Sequence, residues 1–153
     1  LSSSPGGEEE VRRLLAAYQQ YQAQAESIVR QLNLTQVTMQ GLDNALSAVE
    51  ALDKAKEGQD LLVPIGSGSF VHGTLASKEK VILNVGSGVS IEKTATEAKE
   101  ILKVRKDEVL EGSKKLNEVL AKIDQEMQRI QAIMEQLEAS AGQPQMPGSE
   151  GIV

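Results

Sequence analysis

Two long stretches of the chain repeat apolar residues at alternating intervals of three and four, and a shorter stretch between them alternates every second residue. In the first, from Glu8 to Glu57, the repeating positions are Val11, Leu14, Tyr18, Tyr21, Ala25, Ile28, Leu32, Thr35, Met39, Leu42, Leu46 and Val49, all apolar but Thr35. In the second, from Thr94 to Ala141, they are Ala95, Lys99, Leu102, Lys106, Val109, Ser113, Leu116, Leu120, Ile123, Met127, Ile130, Met134 and Leu137. An alternation of three and four averages 3.5 residues, the period of a coiled-coil seam. Glu8, Glu9 and Glu10 suit the positive N-terminal end of a helix, and Lys54 and Lys56 before Gly58 suit its end. Thr94 with Glu97 three residues on forms a capping box that opens the second helix. Glu111–Lys115 and Glu118–Lys122 are spaced as helical pairs in the favourable order. Lys99 and Lys106 interrupt the second seam near its start, while Ile101 and Val104 lie off it, which leaves open which face this portion turns inward.

Each helix has about 45 to 50 residues and, at about 1.5 Å per residue, is roughly 70 Å long. Equal lengths joined by a compact insert predict one antiparallel hairpin of helices. In such a pair one register places the two hydroxyl residues of the seam, Thr35 and Ser113, in a single layer. That register also faces Leu14 with Met134, Tyr18 with Ile130, Ala25 with Ile123, Leu32 with Leu116, Met39 with Val109 and Leu46 with Leu102. Small polar residues in a seam fix register at a cost in stability.

The insert, Gly58 to Lys93, reads as four short strands. Leu61, Val63 and Ile65 share one face, as do Val71, Gly73 and Leu75, then Val81, Leu83 and Val85, then Val89 and Ile91. Gly66-Ser67-Gly68 and Gly86-Ser87-Gly88 separate the strands of each half, and the halves form a weak repeat twenty residues apart. Two β-hairpins in tandem follow, joined through Ser77-Lys78-Glu79-Lys80. A lone hairpin is marginal in water and its free edges invite pairing, so the strands are expected to complete a sheet or barrel with other subunits. The fold predicted is mainly α with a small β insert: a long antiparallel two-helix coiled coil with two β-hairpins at one end that assemble into an intersubunit sheet or β-barrel. It forms one domain, with 1–7 and 142–153, rich in Gly, Pro and Ser, expected to be disordered.

Composition narrows the chemistry. Among 153 residues there are no Trp, two Tyr and one Phe, too few rings for a thick layered core. The absence of Cys excludes disulfides, thiolate zinc sites and a cysteine nucleophile, and fits a reducing compartment. His72 is the one histidine, set mid-strand and read as solvated. The net charge of −6, with no strongly basic segment, gives nucleic-acid binding no electrostatic basis. No apolar run approaches the roughly 20 residues of a membrane span, and Leu1–Gly7 has neither the basic start nor the apolar stretch of a signal peptide. The Gly-Ser-Gly loops lead into strands rather than opening helices, so they read as hairpin turns and not as phosphate loops. No catalytic, metal or cofactor constellation is present, and the sequence is read as that of a non-enzyme.

The strings Leu61-Leu62-Val63-Pro64-Ile65-Gly66-Ser67-Gly68-Ser69-Phe70 and Val85-Gly86-Ser87-Gly88-Val89-Ser90-Ile91-Glu92-Lys93-Thr94, set between two such helices, resemble the alpha class of the prefoldin family. The resemblance extends from about Glu8 to Leu137, and two hairpins rather than one point to alpha over beta. It departs at Val89-Ser90, where an aromatic residue is expected after the turn. It implies a cytoplasmic hexamer of two alpha and four beta subunits that needs no ATP or cofactor. Such a hexamer captures unfolded client proteins at the coiled-coil tips and delivers them to a group II chaperonin. The tip residues would be Leu14, Leu15, Tyr18, Ile130, Ile133, Met134 and Leu137, and the oligomerisation residues Leu61, Val63, Ile65, Val71, Leu75, Val81, Leu83, Val85, Val89 and Ile91. A structural coiled-coil adaptor or tether is the alternative, although an adaptor has no need of two hairpins between its helices.

Overall fold

Between Glu8 and Lys54 only Gly41 interrupts a run of residues compatible with helix, and the run forms one helix. In the computed structural model, which describes residues 5–142, this helix, α1, spans Pro5–Lys54. Pro5 fits its first turn, where the missing N–H is no loss. Pro5, Gly6 and Gly7, expected in a disordered terminus, therefore belong to α1, and residues 55–57, expected in the helix, lie beyond it. The chain turns out of α1 through Gly58, whose φ of +78° only glycine adopts freely. Four strands follow: β1 Asp60–Gly66, β2 Ser69–Thr74, β3 Lys80–Gly86 and β4 Val89–Thr94. The second helix, α2, spans Ala95–Ala141 and starts where β4 stops. The expected tail from 143 onward and residues 1–4 lie outside the described residues.

The chain divides into two units, one of residues 5–32 and 115–142 and one of Asn33–Lys114. In the first, Ile28, Ile123 and Ile130 are buried, and the other seam positions on both helices are half-buried apart from Val11. The Gln131 side chain donates a hydrogen bond to the Tyr18 hydroxyl at 3.0 Å, which sets Tyr18 beside Ile130 as the sequence register requires. In the second unit, Val49, Leu83, Ala98 and Leu102 form the core, with Leu42, Ala45, Leu46, Val81, Ile91, Ala95 and Ile101 packed against it.

The seam lysines are explained in that unit. Lys99 reaches Glu50 at 3.5 Å and Lys106 pairs with Asp43, so each covers the seam with its stem and finds an acid on α1. Asp43 with Lys106 and Glu50 with Lys99 sit within a residue of the predicted facing pairs. Ile101 joins the core and Val104 stays exposed, so the inward face rotates by only one position there. The spaced pairs Glu111–Lys115 and Glu118–Lys122 do not close, whereas Arg13 and Glu9 do at 2.7 Å.

Each pair of strands is antiparallel and forms its own two-stranded sheet. Leu61 pairs with Gly73, Val63 with Val71, Val81 with Lys93 and Leu83 with Ile91. The two turns repeat one conformation: φ is +106°, +49° and +74° at Gly66, Ser67 and Gly68, and +106°, +51° and +76° at Gly86, Ser87 and Gly88. Positive φ at both central residues is what a two-residue hairpin loop needs to match strand twist, and the shift of pairing before Gly66 and before Gly86 is a β-bulge.

Candidate functional site

The two hairpins meet the rest of their unit differently. The second is anchored by its direct run into α2 and by the capping box. There the Glu97 N–H donates to the Thr94 hydroxyl at 3.2 Å, and the Thr94 N–H donates to the Glu97 carboxylate at 3.1 Å. The Thr94 N–H, then the Lys93 charge and the Thr94 hydroxyl, hold the Glu97 carboxyl below its ordinary range. Val81, Leu83 and Ile91 on this hairpin face the helix core. Leu83 is buried there, so it serves its own subunit's core and is not available to another. The same holds in part for Val81 and Ile91, which are half-buried.

Of the exposed large apolar side chains on the strands, the first hairpin carries five and the second three. Ile65 is 63% exposed, Leu62 58% and Phe70 57%, with Val63 and Val71 also exposed and Leu61 and Leu75 half-buried. The second adds Ile82, 73% exposed, and the exposed Val85 and Val89. Of the strand residues singled out from sequence, Val63, Ile65, Val71, Val85 and Val89 lie free. Leu62, Phe70 and Ile82 were missed because period-two reading assigns them to the solvent face. The signal was present: Leu61-Leu62-Val63-Pro64-Ile65 and Val81-Ile82-Leu83 are continuous apolar runs, the mark of strands to be covered on both faces.

At the other candidate site, Leu15 is 45% exposed beside half-buried Leu14, Tyr18, Ile133, Met134 and Leu137. Ile130 is buried between the helices and belongs to the seam, out of reach of any partner while the helices stay closed. Val11, placed in the seam by spacing, is exposed and extends the Leu15 surface. On α1 of the other unit Leu34 and Val37 are also exposed, within a charge-free run from Gln31 to Leu42. Among the described residues no three His, Cys, Asp or Glu side chains converge as a metal site, and no helix is long and apolar enough to cross a membrane. His72 is exposed on β2, opposite Leu62.

Two long seam-forming helices joined through two tandem β-hairpins, with apolar surface concentrated on the strands, define a coiled-coil subunit of the prefoldin type. The family pattern described as prefoldin subunit matches residues 21–140. Prefoldin subunit alpha of Methanothrix thermoacetophila is 58% identical over 110 residues, 72% of this chain and 72% of that one. A filamentous prefoldin from Methanocaldococcus jannaschii, solved by cryo-EM, superposes with a TM-score of 0.67 at 25% identity, over 76% of this chain and 97% of that one. The prefoldin beta subunit of a Thermococcus strain shares the fold, with a TM-score of 0.58 at 15% identity over 94% and 98% of the two chains. The chain belongs to the prefoldin family and is an alpha-class subunit.

Proposed function

We propose that this chain is the alpha subunit of an ATP-independent cytoplasmic chaperone, in which two alpha and four beta subunits join through their β-hairpins. The free helix ends hold unfolded polypeptides and pass them to a group II chaperonin. One observation carries the assembly: large apolar side chains on the hairpins, Leu62, Ile65, Phe70 and Ile82 above all, that no element among the described residues covers. Exposed apolar side chains gathered on a few short strands mark interaction sites. The client role draws on Leu15 and Val11, exposed beside flexible Met134. A single short patch binds weakly, and several patches on one assembly bind together through effective concentration.

The test replaces Leu15→Ser with Ile133→Ser in the assembled complex. Suppression of aggregation of a denatured test protein is measured beside the thermal melt. Each side chain that faces a client contributes roughly 1.5–3 kcal/mol of apolar burial, so suppression should fall well beyond any change in melting. A fall only in step with the melt assigns both residues to the seam, and unchanged suppression with an unchanged melt removes them from the client site.

A further inference from the structure

We propose that a groove on one flank of the helix pair, lined by Ala25, Val29 and Leu120, is a second client subsite. It takes an aliphatic side chain of an extended polypeptide already held at Leu15, with a basic residue beside that side chain. This rests on the reading that Leu15 faces clients, and it names the kind of segment such a client presents. The groove lies wholly in the unit of residues 5–32 and 115–142, rimmed by Glu26 and Arg30 on α1 and Asp124 on α2. Its volume of about 610 Å³ falls within the roughly 300–1,000 Å³ of ligand pockets.

The groove opens because the seam is thin there. Ala25 is the smallest of the seam residues on α1, and a short side chain leaves its layer unfilled at the flank. The flank itself is a row that recurs every seven residues along α1: Leu15, Gln22, Val29, Gln36, Asp43 and Glu50. Asp43 and Glu50 are tied to Lys106 and Lys99, whose stems lie over the seam. Val29 has no charge to form such a closure and stays 44% exposed. Among the described residues Glu26, Arg30 and Asp124 enter no ion pair, so the charges of the rim are free to meet a ligand.

Position in the row fixes the spacing of the ligand. Leu15 and Val29 are fourteen residues apart on one flank, about 21 Å at about 1.5 Å per residue. An extended chain advances about 3.3 Å per residue, so about six of its residues cover the same span. Six is even, so the two client side chains leave the same face of the extended chain and both meet the flank. Gln22, between the two anchors in the row, lines the groove with an amide that can pair with the client's main chain. Two carboxylates against one guanidinium leave the rim with an excess of negative charge. A lysine or arginine beside the second anchor is therefore favoured, and an aspartate or glutamate there is repelled.

The full chain is assembled with beta-class subunits, and Val29→Ser is compared with Val119→Ser. Val119 is as exposed, at 45%, and lies outside the groove, so the comparison separates loss of the groove from loss of any surface valine. Val29→Ser should raise the concentration of complex that half-suppresses aggregation of a denatured test protein by roughly three- to tenfold. Val119→Ser should leave that concentration unchanged. Equal effects of the two, or a loss at Val29→Ser only in step with a lowered melting temperature, would overturn the subsite. So would an inert Val29→Ser where Leu15→Ser still weakens holding, an outcome that leaves the tip reading standing. If neither Leu15→Ser nor Val29→Ser weakens holding, both readings fail. A second arm measures, by fluorescence anisotropy, the binding of dye-labelled Gly/Ser peptides that carry two leucines and a lysine beside the second. Leucines six apart should bind several-fold more tightly than leucines five apart, and glutamate in place of the lysine should undo the gain. Equal affinities of the three peptides would likewise overturn the subsite.

Discussion

Gly41 and Gly112 lie inside exposed helix, and an added methyl group at either meets nothing within 4 Å. Alanine at each site should raise unfolding stability by about 1 kcal/mol, since glycine is that much poorer a helix former. Chemical denaturation checks this, and a loss instead of a gain in the assembled complex would place a partner against that face. Gly73 is different: a methyl group there stands 3.3 Å from both the Leu61 and Val63 side chains. The glycine leaves its cross-strand neighbours little to spare, so Gly73→Ala must shift the Leu61 and Val63 side chains by a few tenths of an ångström, and chemical denaturation reads the sign of that exchange. The Thr94–Glu97 box carries a pH signature. The folded carboxyl titrates below its ordinary value, so the box stabilises fully above that value and its contribution is lost as pH falls through the depressed one. Glu97→Gln should lower stability at neutral pH, where the carboxylate's contribution is complete, and flatten the acid limb, so that the two proteins converge as pH falls through that window. Melting curves across the acid range decide it. Thr94→Ala should cost about 1 kcal/mol at neutral pH.

For the helices, spacing alone was sufficient. Twelve positions on α1 and thirteen on α2 were picked by alternating three and four, and all but Val11 are covered. A seam repeats one geometric demand many times, so single exceptions such as Lys99, Lys106 and Thr35 do not hide it. The register was legible for the same reason, and the Tyr18–Gln131 and Lys106–Asp43 contacts agree with it. Paired cysteines at Thr35 and Ser113 should therefore form a disulfide readily, and preferential crosslinking of Thr35 with Lys106 or Leu120 would put the register off by one heptad. Strands obey a weaker rule. Period two tells which residues share a face and not which face is covered, so Leu83 was grouped with Val63 although the helix core buries one and leaves the other free. The exact ends of α1 were not legible either, because Pro and Gly read as breakers also fit a helix's first turn.

At the scale of the molecule, the exposed hairpins predict a chain that behaves poorly by itself and gains a defined stoichiometry, two copies per complex, when beta subunits are added. Light scattering on the two samples would show it, and a monodisperse, fully stable monomer would contradict it. Assembly should also make the melting temperature rise with protein concentration. Burial adds a thermal consequence. The buried core consists of Ile28, Val49, Leu83, Ala98, Leu102, Ile123 and Ile130, and no large side chain among the described residues is fully hidden from solvent. The heat capacity of unfolding tracks the apolar surface released, ordinarily about 12–15 cal/mol/K per residue. A seam one side chain deep releases less, so calorimetry should return a lower value. The curve of stability against temperature then loses its curvature, and the protein keeps what stability it has over a wide span of heat and cold.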